Sequence, residues 1–434
     1  MADQEWDRLS HLCAWRNIER VILKNGLRVL KEHRPLENSV RLVLGVNYGS
    51  SFDKVEQNGL AHLLEHMLFR RTIGRSNFAR ARAKEIESVG GKLNACTSQE
   101  RIVIYSQVPS NHARIAFETI PDMAFNSTFP PEELVTEKKV VLQEIAEHND
   151  ELQTPPARIL SLLLDSLYKR RPFRDVLGDA NTVNSLQSKD LIHKYNKYFV
   201  PNNMVLGIFG TFNKKETPNN LKHFFGSNPR KNGKLSSRKN SSKTRKPFKT
   251  INVERRDGLD QAQVMVGLKT VPLNHHHSYA LDVMQTILGR GTSSRLFTKL
   301  RGKKGLTYTA YASHPQGTHW GCFYVHTSVK EKNLDAVLKV ISREFAELTE
   351  RRVKADELKK AKNMITGSIA LARDSPVRGA TSLVEAEMTL GNVNRVKEYI
   401  EKIDSLSASE VLETAREYFL EDKFATAILS TQVS

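Results

Sequence analysis

Cysteine and long apolar runs are both scarce in this sequence of 434 residues. The three cysteines, Cys13, Cys96 and Cys322, are widely separated and form no C-x-x-C pair, which argues against both a disulfide framework and a thiolate metal site. No stretch contains the roughly 18 consecutive apolar residues that a membrane-spanning helix needs, and the opening residues resemble neither a secretory signal nor a transit peptide. We therefore expect a cytoplasmic protein without a membrane span.

Acidic residues are too few to balance the basic ones. The chain has 66 Lys and Arg against 48 Asp and Glu, a formal net charge of +18. Such an excess favours acidic partners, but much of it lies between Arg230 and Lys249, where there is no acid and a single aromatic residue, Phe248. We interpret this tract as a solvated linker and expect no nucleic-acid partner.

The chain is longer than a single domain usually is, since domains typically contain about 100–200 residues. Apolar periodicity is lost from Lys214 to Lys249, which indicates a boundary there. We predict an N-terminal extension at 1–17, a first domain at 18–213, a basic linker at 214–249 and a second domain at 250–434.

Strand and helix patterns alternate in both halves. Two β-rich runs flank Asn25-Gly26, a strong hairpin signal, and the apolar spacing turns helical between Gly59 and Arg70. The second half shows the same alternation, with predicted strands in QAQVMVGLKTV and HWGCFYVHTSV separated by helices. We predict an α+β fold of two similar domains, each with a mainly antiparallel sheet packed against helices.

The sharpest chemical signal is the segment His62-Leu63-Leu64-Glu65-His66. On a helix, histidines four residues apart project from one face, close enough to share a zinc ion. Glu65 points toward the same side, where a carboxylate serves as general base for a water molecule that zinc has acidified to a pKa of about 7. The pattern is the inverted zinc-peptidase motif, and we interpret Glu65 as the catalytic base.

Two imidazoles need a further protein ligand to complete a catalytic zinc site. The acid-rich stretch 132–151 offers Glu137 and Glu144, which are seven residues apart and share a helical face, and His148, one turn further on. Spacing alone does not choose among the three, and a solvated charged face is the alternative.

Several segments resemble the pitrilysin and insulinase peptidases, a family that includes the mitochondrial processing peptidase. GLAHLLEHMLFRRT is similar to the family's metal-site helix, GGKLNACTSQERIVIY to the strand after it, and EKKVVLQEI to the segment that carries its third zinc ligand. The resemblance implies zinc, one ion per chain, on His62, His66 and Glu144. It implies a supporting role for Glu137 and gives His148 none.

The resemblance extends to the second half. LGRGTSSRLFTKLRGKKGLTYTAYAS is similar to the family's C-terminal signature, which implies that Arg301 and Tyr308 hold substrate and stabilise the transition state. It also implies that Asn94 and Ala95 lie on a strand edge to which an extended substrate adds.

The resemblance implies a zinc endopeptidase that acts on short or unfolded peptides. Short relatives associate in pairs, so it also implies a homodimer or a heterodimer with a sister chain. The alternative is a noncatalytic peptide-binding subunit of a heterodimeric peptidase.

One further tract, His275-His276-His277, consists of potential metal ligands. Because no carboxylate or cysteine cluster surrounds it in the sequence, we interpret it as a solvated turn before a helix.

Overall fold

The structure is a computed structural model that describes residues 18–430 except 74–77, 150–154, 169, 170, 172, 227–249, 257 and 375. The predicted N-terminal extension at 1–17 and most of the predicted linker at 214–249 lie outside the described residues. The chain divides into two compact units, unit 1 (Met1–Ala146, Phe173–Arg238 and Ala370–Lys397) and unit 2 (Glu147–Pro172, Lys239–Ile369 and Glu398–Ser434).

The described strands, in chain order, are β1 (Glu19–Ile22), β2 (Arg28–His33), β3 (Ser39–Val46), β4 (Arg71–Thr72), β5 (Lys92–Thr97), β6 (Ile102–Pro109), β7 (Ser127–Thr128), β8 (Met204–Gly210), β9 (Thr250–Arg255), β10 (Ala262–Thr270), β11 (Thr307–Ser313), β12 (Gly321–Val329) and β13 (Ala425–Ser430).

The α-helices are α1 (Leu60–Met67), α2 (Phe78–Ser88), α3 (Ala113–Asn126), α4 (Pro131–Asn149), α5 (Pro155–Leu167), α6 (Ala180–Ser185), α7 (Ser188–Tyr198), α8 (Thr217–Asn220), α9 (Ser278–Gly289), α10 (Leu334–Glu350), α11 (Ala355–Asp374), α12 (Pro376–Leu390), α13 (Arg395–Ser405) and α14 (Ala408–Tyr418). Leu221–Gly226 and Phe297–Lys303 are π-helical. No helix in the described part of the chain is both long and apolar enough to cross a membrane.

Unit 1 is built on a six-stranded sheet with the order β1-β2-β8-β3-β6-β5. Its strands pair antiparallel except for β2 and β8, which are parallel. The predicted hairpin is β1 and β2, and Gly26 in its turn has φ 86°, a left-handed conformation that glycine adopts without strain. Strand β5 forms one edge of this sheet.

Unit 2 repeats this design in a five-stranded sheet with the order β11-β12-β10-β13-β9. Only β13 and β9 are parallel, and the other pairs are antiparallel. Strand order and directions are therefore the same as in β5-β6-β3-β8-β2 of unit 1. The predicted α+β fold with two similar, mainly antiparallel domains is confirmed, and the likeness is in topology.

Two helices pack on the sheet formed by the other half of the sequence. Helix α5 packs on β9, β10 and β13, and α12 packs on β3 and β8. The apolar face of α12, with Leu383, Val384 and Met388, covers Val43 and Val205 of the unit 1 sheet. The limits predicted from sequence, 18–213 and 250–434, assign each helix to the half in which it occurs. The structure groups each with the sheet that buries its apolar face.

Candidate metal centre

Helix α1 carries the two histidines and is held firmly in the core of unit 1. Leu60, Leu63, Leu64 and Met67 are fully buried, which fixes the helix by its apolar faces. Asp53 accepts a hydrogen bond from the Ala61 N–H at 3.0 Å and so satisfies one of the free amides of the first turn. The histidine face is therefore presented in one orientation.

Asp53 is itself buried and hydrogen-bonded. The Tyr48 hydroxyl donates to its carboxylate at 2.7 Å. Burial raises the pKa of Asp53 to about 6, although the bonds from Ala61 and Tyr48 act in the opposite direction. This helix cap could not be predicted from spacing, because Asp53 is eight residues from Ala61 and belongs to the preceding loop.

The side chains of His62, His66 and Glu144 converge. Nε2 of His62 lies 3.2 Å from Nε2 of His66, and an oxygen of Glu144 lies 3.6 Å from each of the two nitrogens. Helix α4 supplies Glu144, so the three potential ligands come from two helices far apart in sequence. Among the described residues, His148 does not belong to this group.

The three atoms fit a zinc ion. A tetrahedral zinc ion with bonds of about 2.0–2.1 Å holds its ligand atoms about 3.3–3.4 Å apart, close to the separations seen here. Burial, and then the neighbouring His66, lower the pKa of His62 to about 4, so its imidazole is neutral at pH 7 as a metal ligand must be. Three protein donors leave one tetrahedral position open, the arrangement of catalytic zinc sites.

Glu137 lies behind His66 and orients it. An oxygen of its buried carboxylate is 3.0 Å from Nδ1 of His66, and its other oxygen is paired with the Arg70 guanidinium. Because a carboxylate only accepts hydrogen bonds, the His66 proton belongs on Nδ1 and the Nε2 lone pair faces Glu144. Arg70 also lies 3.6 Å from Glu133, so it spans the first two turns of α4.

Glu65 lies next to these converging side chains, and its carboxylate accepts hydrogen bonds from the edge strand β5. The Thr97 hydroxyl donates to a Glu65 oxygen at 2.9 Å, and the Thr97 backbone also bonds to this carboxylate. Burial raises the pKa of Glu65, with the Thr97 bonds opposing the shift. Thr97 was not identified from the sequence, since a threonine on a strand gives no signal of this contact.

Asn94 and Ala95 lie on β5, as expected of an edge strand. Among the described strands β5 pairs with β6 alone. The Ala95 N–H donates a hydrogen bond to Oδ1 of the adjacent Asn94 at 2.8 Å. Ala95 is buried in the core, whereas Asn94 is exposed. Cys96 is a free cysteine, and partial burial of its thiol, followed by the charge of Glu65, raises its pKa.

Arg301 and Tyr308 lie in unit 2, side by side. The Arg301 guanidinium is 4.5 Å from the centre of the Tyr308 ring, and both side chains are exposed. Tyr308 is on β11, an edge strand of the second sheet, and Arg301 is in the π-helical segment just before it. The pairing is a cation–π contact with both polar groups still accessible.

Two solved structures share this fold. A protease from Helicobacter pylori superimposes with a TM-score of 0.82 at 22% identity, covering 95% of this chain and 99% of that one. A Pseudomonas fluorescens structure described as a peptidase M16 inactive domain gives a TM-score of 0.85 at 20% identity, covering 96% and 98%. These likenesses establish the fold.

Sequence comparison adds the family. Residues 28–177 match the family described as Insulinase (Peptidase family M16), and residues 185–365 match the domain described as Peptidase M16 inactive domain. The Uncharacterized zinc protease YmxG of Bacillus subtilis (strain 168) is 30% identical over 415 residues, covering 95% of this chain and 98% of that protein. An uncharacterized zinc protease of Rickettsia felis is 28% identical over 402 residues, covering 92% and 94%. The chain therefore belongs to the insulinase family of peptidases, family M16.

Proposed function

We propose that this chain is a zinc-dependent endopeptidase that hydrolyses short or unfolded peptides bound in extended form. The observation that carries the proposal is the convergence of His62, His66 and Glu144 beside the carboxylate of Glu65. The two relatives are named as zinc proteases, and these names point to the same metal. The proposed stoichiometry at this centre is one zinc ion per chain.

Each residue of the centre has a separate task in this proposal. His62, His66 and Glu144 hold the ion, and Glu137 fixes the His66 ring. Zinc, when bound, acidifies water and polarises a peptide carbonyl. Glu65 takes the proton from the attacking water and passes it to the leaving amine. Its raised pKa suits this exchange, because a stronger base accepts a proton more readily at neutral pH.

The edge strand β5 gives the substrate a place to bind. On this strand the Ala95 N–H donates to the adjacent Asn94 side chain, a contact that a peptide carbonyl can replace. Two residues further along, Thr97 contacts Glu65. A peptide added along this edge is thus led toward the base. Main-chain hydrogen bonds along this edge require an extended segment, which a short or unfolded peptide provides.

Arg301 and Tyr308 are proposed to donate hydrogen bonds to substrate carbonyl oxygen. A guanidinium and a phenol both stabilise an oxygen that gains negative charge. We also propose that the chain works in the cytoplasm as a homodimer or with a sister chain, as short relatives of the family do.

The test is cleavage of an unstructured peptide, followed by mass spectrometry, for the wild type and Glu65→Gln. Loss of the base is expected to lower kcat by about 10²–10⁴-fold while zinc content is unchanged. The matched control is Glu56→Gln, an exposed carboxylate of the same unit, which should leave cleavage unchanged.

Chelation separates the enzyme from a noncatalytic subunit. Removing zinc should abolish cleavage by the wild type, and adding zinc back should restore it. A noncatalytic subunit binds the peptide but leaves it intact in every condition. Full cleavage by Glu65→Gln would show that another group is the base.

A further inference from the structure

The three consecutive histidines of unit 2 are brought together by a tight turn just before α9. One ring nitrogen from each of His275, His276 and His277 lies within 4.8 Å of the other two. The His276 ring centre is 4.4 Å from that of His275 and 4.0 Å from that of His277. The turn was expected from the sequence, but the convergence of all three rings was not.

The tertiary structure also supplies a carboxylate that the surrounding sequence lacks. The last turn of α14 brings Glu417 and Tyr418 against the turn. Nδ1 of His277 lies 3.5 Å from a Glu417 oxygen and 3.1 Å from the Tyr418 hydroxyl. A histidine whose second nitrogen meets a carboxylate is the usual arrangement of a metal ligand, because the carboxylate fixes the ring and its tautomer.

Hydrogen bonding defines which nitrogens are free. The Tyr418 hydroxyl donates its hydrogen bond to Glu417, so its oxygen accepts from Nδ1 of His277 at 3.1 Å, which leaves the His277 Nε2 lone pair for an ion. His275 accepts the His277 N–H at Nδ1 over 3.2 Å, so this nitrogen is unprotonated and is held by a weak bond. His276 is exposed and free to rotate toward a shared ion.

We propose that His275, His276 and His277 form a second metal site, which binds a divalent transition-metal ion of the zinc, nickel or copper class. Glu417 orients His277 through the Tyr418 hydroxyl, which bonds to Nδ1 of His277. Imidazole ligands select these ions over magnesium and calcium, which prefer oxygen. This site is independent of the peptidase chemistry, since no residue of the candidate metal centre contributes to it.

The second site is the weaker of the two. His276 of the second site is exposed, whereas His62 is buried and His66 half-buried at the first centre, so the second set of ligands is less firmly held. The weak His277 N–H bond to His275 must also be broken. We therefore expect zinc to bind here with a micromolar dissociation constant, well above that of the first centre.

The experiment is a calorimetric titration of the untagged full chain with Zn²⁺ alone. The wild type is expected to bind two ions with distinct affinities. In the double variant His62→Ala/His66→Ala the tighter event is lost and the micromolar one remains. In His276→Ala/His277→Ala the micromolar event is lost and the tighter one remains. Glu417→Gln should weaken the micromolar event by about 10–100-fold, as is usual for such orienting carboxylates.

The matched control is His319→Ala, an exposed histidine of unit 2 outside the cluster, which should leave both events unchanged. Circular dichroism checks that each variant is folded. The proposal is overturned if His62→Ala/His66→Ala binds no zinc at micromolar concentrations, or if His276→Ala/His277→Ala still binds two ions. Loss of the tighter event from the wild type alone would contradict the first centre and leave the second one standing.

Discussion

Glu137→Gln tests the supporting role proposed for the buried carboxylate of α4 at the candidate metal centre. The wild-type side chain accepts from two donors, Nδ1 of His66 at 3.0 Å and the Arg70 guanidinium, and it is only 5% exposed. Glutamine has the same size but a single acceptor atom, so its NH₂ group must face one of these donors. The negative charge that strengthens His66 as a ligand is also lost.

We expect Glu137→Gln to weaken zinc binding by about 10–100-fold, or about 1.4–2.7 kcal/mol. Competition with a chromophoric chelator measures the dissociation constant without reference to peptidase activity. Glu133→Gln is the matched control, since Glu133 lies one turn earlier on α4 and pairs with Arg70 without contacting His66. Unchanged affinity in Glu137→Gln, or equal weakening in both variants, would refute the reasoning.

Three further changes probe stability. Burial lowers the pKa of His326 from 6.5 to about 4. On acidification the unfolded state therefore binds a proton before the folded state does, and the free energy of unfolding falls by about 3 kcal/mol as the pH drops from 6.5 to 4. In His326→Gln the urea midpoint should change less between pH 7 and pH 4 than in the wild type, and an equal change in both would contradict this. Gly289→Ala places Cβ 2.0 Å from the Ala312 nitrogen, so the thermal midpoint should fall by several degrees. Tyr48→Phe removes the 2.7 Å bond to Asp53 and should cost about 1–3 kcal/mol in urea unfolding, whereas no change would show that water replaces the hydroxyl.

Local sequence was sufficient for those features that depend on neighbouring residues. The spacing of His62 and His66 places both rings on one face of a helix wherever that helix packs, and Asn25-Gly26 predicts the β1–β2 hairpin without knowledge of the sheet. The apolar runs likewise indicated the buried strands β3, β8, β10 and β12.

Contacts between distant segments were decided by tertiary packing. Spacing could not separate Glu137, Glu144 and His148, and the family resemblance was needed to assign Glu144 before the structure showed where α4 meets α1. Neither the Thr97 bond to Glu65 nor the approach of α14 to the three histidines has a sequence signal.

The sequence by itself determined the elements, the paired histidines and the glutamate beside them, because helix and strand periodicity are properties of adjacent residues. Only the tertiary structure decided which helix covers which sheet and which polar groups meet. Helices α5 and α12 pack on the sheets of the opposite halves because burial of an apolar face is non-directional and does not depend on order along the chain. The packing of these apolar faces then determines which polar side chains become neighbours.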